Sequence, residues 1–103
     1  MAALTGDRIS VRVMLPAALA DTVAGARVLP VELAADDATV AGLLAELASA
    51  YPVLGRRLRD DTGALRRHVN VYVDGIDVRD SGGPTTRLQD GILVDVVPSI
   101  AGG

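Results

Sequence analysis

The chain has 103 residues, half of them hydrophobic, with 13 acids against 10 bases and a formal charge of −3 at pH 7, which fits one compact acidic domain and not two. Cysteine is absent, removing disulfides, thiolate metal sites and side-chain sulfur chemistry, and Tyr51 and Tyr72 are the only aromatics, so stacking on bases is not expected. All ten bases are arginines and they are scattered, not the dense positive face that phosphate backbones demand, which argues against nucleic acid.

A domain of this length buries about two thirds of its unfolded surface, enough to fold on a core of Val, Leu, Ile and Ala. Ile9, Val11, Val13 and Leu15 alternate with Ser10, Arg12 and Met14, the period of two of a half-buried strand, and Pro16 ends it. The Ala-rich stretch from Ala17 to Ala26 lacks that alternation and reads as a loop leading to a second strand around Arg27 to Leu33. Pro30 inside that strand implies an edge position or a bulge, because proline cannot donate to a ladder. Thr39 is the expected N-cap of the clearest element, a helix whose apolar stripe Val40, Leu43, Leu44, Leu47 and Tyr51 falls at offsets of three and four. Gly42 costs that helix about 1 kcal/mol relative to Ala.

Pro52 stops the helix, and Val53 to Arg59 has room for one short further turn with Leu54 and Leu58 inward. After a turn-rich excursion from Asp60 to Gly63, Val69, Val71 and Val73 mark a third strand, and Asp74-Gly75 is a tight hairpin turn. Ile76 and Val78 continue into a short fourth strand, Asp80 to Thr85 is a loop, and Asp90-Gly91 is another turn. Ile92 to Val97 then reads as a well-buried strand, closed by Pro98. The order predicts an α+β fold in which one main helix covers a mixed sheet of four or five strands.

The residues that carry most chemistry are missing or isolated. His68 is the only histidine, so histidine clusters for a metal are impossible and a structural role is expected. Asp74, Asp77 and Asp80 lack the order of a calcium loop, and Ser81-Gly82-Gly83 is not followed by lysine or a clear helix, so it is no phosphate loop. The serines have no histidine in a recognisable order, and nothing brings Glu32 and Glu46 together. Arg56, Arg57, Arg59, Arg66 and Arg67, diluted by Asp60 and Asp61, make a local charge of +3 between flanks of −3 each, which reads first as a solvated face and second as a docking patch for an acidic partner. The expectation is a protein that is not itself an enzyme. No apolar run approaches the ~18 residues of a membrane span, and Met1 to Asp7 lacks a basic region followed by an apolar stretch, so a cytoplasmic protein is expected.

One feature remains. The chain closes on Val97-Pro98-Ser99-Ile100-Ala101-Gly102-Gly103, with no charged or bulky side chain over the last five positions. Extended, Ser99, Ile100, Ala101, Gly102 and Gly103 reach roughly 16 Å beyond the last strand at about 3.3 Å per residue, a length suited to another protein's active site. Two glycines carry no Cβ to clash with a narrow channel, and the carboxylate of Gly103 is ionised at neutral pH. At average glycine usage a Gly-Gly ending arises by chance in about one chain in 200.

Taken together, the strand Val11 to Leu15 before Pro16, the helix from Thr39-Val40 to Tyr51-Pro52, the run from His68 through Val69-Asn70-Val71-Tyr72-Val73-Asp74-Gly75 to Arg79, Asp90-Gly91 and the Ala101-Gly102-Gly103 ending resemble the MoaD/ThiS family of small sulfur carriers. The resemblance covers nearly the whole chain and implies the ubiquitin-like β-grasp fold, as a single domain over residues 1–103 with a flexible tail at 99–103. The segment from Gly55 to Leu65 and Asp77-Val78-Arg79 look most like the CysO type, which serves cysteine synthesis. Ser99-Ile100 and Ile92 depart from the family pattern and bear on partner identity more than on fold.

The resemblance further implies that Gly103 carries the sulfur and that Gly102, Ala101, Ile100 and Ser99 enter partner active sites. An E1-like adenylating enzyme of the MoeB/ThiF type would consume ATP to activate the Gly103 carboxylate, a sulfur donor would convert it to a thiocarboxylate, and a sulfur-accepting synthase would receive the sulfur. No cofactor would be bound by the chain itself, and neither nucleic acid nor membrane is an expected partner. Alternatives are a MoaD-like small subunit of molybdopterin synthase, a secondary-metabolite carrier and, from another class, a ubiquitin-like protein modifier or a β-grasp interaction module.

Overall fold

In the computed structural model, which describes residues 7–98, the alternating segment forms β1 (Arg8–Met14), with Val11 and Val13 fully buried. It pairs antiparallel with β2 (Val28–Ala34), whose Leu29, Val31 and Leu33 face the same core. The connection is not the loop expected over Ala17 to Ala26. It folds into α1 (Ala17–Ala20) and a 3-10 turn over Asp21–Val23, burying Leu19, Ala20 and Val23. Leu19 and Val23 are four residues apart, a helical spacing that a search for strand alternation overlooks.

Thr39 caps α2 (Val40–Ala50) as expected, its hydroxyl oxygen accepting from the Gly42 N–H at 3.1 Å. Val40, Leu43, Leu44 and Leu47 are buried, and Tyr51 packs against the core partly exposed. Gly42 has a positive reason to be there: a Cβ at this position would run into the carbonyl oxygen of Asp37, in the 3-10 turn Ala35–Asp37. Pro52 ends α2 and also opens α3 (Pro52–Leu58), a proline at the first position of a helix costing no hydrogen bond. The segment is thus a seven-residue helix, longer than the single turn expected, with Leu54 and Leu58 fully buried.

Next, β3 (Val69–Val73) and β4 (Ile76–Asp77) make the expected two-residue hairpin, with Asp74 at φ 53° and Gly75 at φ 82°. The fourth strand is shorter than expected: Val78 already belongs to a 3-10 turn, Val78–Asp80, and Ile76 is 54% exposed. A further 3-10 turn, Gly83–Thr85, lies in the segment read as a loop. The last strand, β5 (Leu93–Pro98), runs parallel to β1 and antiparallel to β3, giving the sheet order β2-β1-β5-β3-β4. The Asp90-Gly91 turn fastens this arrangement: the Ser10 N–H donates to the Asp90 carboxylate at 2.8 Å, and the Gly91 N–H donates to the Ser10 carbonyl at 2.6 Å.

Both sheet edges are blunted. On β2, Pro30 lies opposite Arg12, whose N–H donates to Ile92 on the far side at 3.0 Å. The pair is therefore not hydrogen-bonded, and the N–H that proline lacks would have pointed to open solvent at the edge, as its sequence position implies. The Arg8 guanidinium donates to the Glu32 carbonyl at 3.3 Å beside it. On the other edge β4 covers only Tyr72 and Val73, and beyond it the Arg79 side chain takes the place of a strand, its Nη2 donating to the Val69 carbonyl at 2.9 Å.

Candidate functional site: the open sheet face and the end of the last strand

The helices cover one face of the sheet only, and this determines what β5 presents. Val94 and Val96 are buried at 0% and 3%, while Leu93 and Val97 are 38% and 36% exposed. The expectation of a well-buried strand thus holds for one face and fails for the other. Asp95 was the available signal: it shares a face with Leu93 and Val97, and an acidic side chain there marks a face in contact with water.

Registers assemble the open face from four strands. Met14 lies opposite Val28 and Asp95, Tyr72 opposite Asp95, Arg12 opposite Pro30 and Leu93, and Asn70 opposite Val97. Tyr72, Asp74, Gly75, Leu93, Asp95 and Val97 line a shallow depression of about 530 Å³ on it. With Val28 at 46% exposure, the face offers apolar patches interrupted by Arg12 and Asp95, the composition of a protein-contact surface more than of a catalytic cleft.

The strand that carries this face also leads to the chain's end. Pro98, the last residue of β5, pairs with Val69, the first of β3. Residues preceding Val69 therefore stand beside the point where the chain leaves the sheet. Here the Arg79 Nη1 donates to the Asn70 side-chain oxygen at 3.0 Å, and its Nη2 donates to the Arg66 and Val69 carbonyls at 3.1 and 2.9 Å. Sequence reasoning assigned Arg79 no such role, because the bonds join segments that are adjacent only once β4 has ended. The sequence-derived site residues, Ser99, Ile100, Ala101, Gly102 and Gly103, lie outside the described residues.

The remaining candidates for chemistry stay apart. His68 is exposed in the turn before β3. Among the described residues no group of three or more His, Cys, Asp or Glu side chains is placed to hold a metal ion, and no helix is long and apolar enough to cross a membrane. The Asp60 carboxyl is held below its usual range, first by the Thr62 hydroxyl, then by the Thr62 and Ala64 amides, with Arg66 adding to the effect against the opposing desolvation. These bonds close a turn, not a catalytic site.

A mixed sheet of this order, one face packed on helices and the other open, defines a ubiquitin-like β-grasp protein, and solved structures agree. CysO from Amycolatopsis orientalis, crystallised in complex with BexX, superposes with a TM-score of 0.73 at 32% identity, over 90% of this chain and 99% of that one. The sequence model of the ThiS family matches residues 13–103, and the chain belongs to that family. It is 40% identical to the sulfur carrier protein CysO of Mycobacterium tuberculosis over 67 residues, 63% of this chain and 72% of the relative. It is 44% identical to small archaeal modifier protein 3 of Haloferax volcanii over 68 residues, 66% of this chain and 73% of that one.

Proposed function

We propose that the protein is a sulfur carrier whose terminal Gly103 carboxylate becomes a thiocarboxylate, with cysteine synthesis the favoured destination of the sulfur. The observation that carries this reading is that the family match runs through Gly102-Gly103 to residue 103. The CysO relatives support the cysteine-type assignment.

Chemically, a carboxylate is a poor electrophile, since displacement would expel oxide. Attack of a carboxylate oxygen on the α-phosphorus of ATP, with loss of pyrophosphate, gives an acyl-adenylate. A sulfur nucleophile then attacks the acyl carbon and AMP leaves, producing the thiocarboxylate. An E1-like adenylating enzyme of the MoeB/ThiF type supplies the first site, a sulfur donor the second reagent, and a synthase holding an activated acceptor takes the sulfur. ATP is consumed on the partner, and the carrier itself binds no cofactor. The open face around Leu93 and Val97 is the docking surface, and Ser99, Ile100 and Ala101 are the arm that delivers the terminal glycines.

Incubation with a matching E1-like enzyme, ATP and sulfide, followed by intact-mass measurement, tests this. A gain equal to exchange of one oxygen for sulfur is expected, and its loss on deleting Gly102 and Gly103 while the fold persists. No gain with several such enzymes would sink the reading. The similarity to small archaeal modifier protein 3 favours a second reading, a protein modifier joined through Gly103 to lysines elsewhere. Isopeptide adducts in place of the sulfur exchange would select it.

A further inference from the structure

We propose that arginines beside the end of β5 form a basic collar at the root of the terminal arm, which docks on a carboxylate-bearing rim around the channel of the activating enzyme. The proposal rests on the carrier reading. Its location follows from the Val69–Pro98 pairing, which sets Arg66 and Arg67 next to the point where the chain leaves the sheet. A continuous run of hydrogen bonds binds the neighbouring arginines to that point. The Arg79 guanidinium donates to the Val69 and Arg66 carbonyls, and the Arg66 Nε donates to the Arg56 carbonyl at 2.8 Å. Arg56, Arg67 and Arg79 are exposed and Arg66 is half-buried.

The charge of this group is only partly offset: Asp60 and Asp61 line the same depression as Arg56 and Arg66, and none of the four arginines has a carboxylate within 4.0 Å among the described residues. The Arg66 and Arg79 guanidinium groups donate to backbone carbonyls and to the Asn70 side-chain oxygen, all neutral. Among the described residues the one ion pair within 4.0 Å is Arg8–Glu32, remote from the collar. Asp60 accepts from Thr62 and Ala64 through Oδ1 and attracts Arg66 without pairing with it, which leaves the arginines in excess. A local excess of positive charge therefore stands on a chain whose net charge is −3. That distribution orients the molecule in the field of an acidic patch without making it sticky to polyanions in general.

Geometry also decides against the nucleotide as the collar's occupant. Five residues threaded through a channel in extended form would carry the reacting carboxyl roughly 16 Å beyond Pro98 at about 3.3 Å per residue. In such a complex the collar would stay at the channel's mouth, away from the reaction centre. Charges at such a rim act on encounter and on salt dependence more than on the chemical step.

The test uses the full chain with an E1-like adenylating enzyme, ATP and sulfide, following thiocarboxylate formation by mass against carrier concentration. R56E/R67E reverses the charge of two exposed side chains without touching the backbone acceptors, and R87E, the same reversal elsewhere, is the control, because Arg87 precedes β5 and lies at its opposite end. The double variant is expected to raise KM for the carrier at least tenfold with kcat unchanged and a flatter dependence on salt, while R87E stays within twofold of the parent. Equal KM values for the parent and the double variant, or an equal rise in R87E, would overturn the collar. Absence of any sulfur exchange in the parent would instead overturn the carrier reading and the collar with it.

Discussion

At the scale of single residues, two glycines and the arginines show how much of this fold depends on close approach. Gly55 sits in α3 where a Cβ would come within 2.6 Å of both the Cα and the Cβ of Ala48 in α2, atoms that no side-chain rotation can move aside. Gly55→Ala gains roughly 1 kcal/mol of helix propensity but incurs overpacking of about 1–3 kcal/mol. A net loss near 1 kcal/mol is expected in urea unfolding, and a stabilised variant would show that the two helices separate freely. Nothing in the sequence distinguishes Gly42 and Gly55 from glycines that merely weaken a helix, because the atoms they approach come from other turns. The arginines are similar: Arg8, Arg27, Arg66, Arg79 and Arg87 each donate to a backbone carbonyl of a distant segment. The planar fork reaches two acceptors at once where a lysine ammonium offers a point charge. Composition alone reveals the absence of lysine but not this use of its replacement. Zero lysine and zero cysteine also suit the proposed chemistry, since no side-chain amine or thiol of the carrier could intercept its own activated acyl group.

Among the elements, the most legible were those whose signal lies within one element: the α2 stripe with its Thr39 cap, the β3 alternation and the Asp74-Gly75 turn. Those whose burial depends on a neighbour were misread, as with α1, the length of α3 and the exposed side of β5. The connection between α3 and β3 is a case where local chemistry suffices. The Asp60 carboxylate accepts from the Thr62 amide at 2.8 Å, the Thr62 hydroxyl at 2.6 Å and the Ala64 amide at 3.2 Å, so the ionised form closes the turn. Its folded pKa lies below the group's ordinary 3.8, so the contribution is complete above that value and is lost as pH falls through the folded pKa. The Thr62 and Ala64 amide resonances are expected to titrate together with a midpoint below 3.8, and to stop titrating in Asp60→Asn. A midpoint at or above 3.8 would contradict the arrangement.

For the molecule as a whole, the division of labour between the two sheet faces is the main functional statement. One face holds the core from Val11 to Val96, and the other leaves Leu93, Val97 and Tyr72 partly exposed, the surface proposed for docking. Because both edges are blunted, strand addition is disfavoured and association is directed to the face. Leu93→Glu combined with Val97→Glu is expected to leave thermal unfolding within a few degrees, since surface substitutions typically shift stability by no more than about 0.5 kcal/mol. Sulfur loading should weaken at least tenfold through KM for the carrier. Loading unchanged in the double variant would assign docking elsewhere. The alternation that builds this face was readable strand by strand, but which face meets the helices follows from the sheet order, and that order depends on pairings between opposite ends of the chain.

The parallel pairing of β1 with β5 has a consequence for synthesis. In the order β2-β1-β5-β3-β4 the two hairpins meet only through β5, a strand some eighty residues after its partner. A nascent chain can form each hairpin as it emerges, yet cannot join them until residues 93–98 are free, and closing so long a loop is slow relative to local structure. Chains cut short before β5 are expected to leave two hairpins that no central strand joins, open to proteolysis.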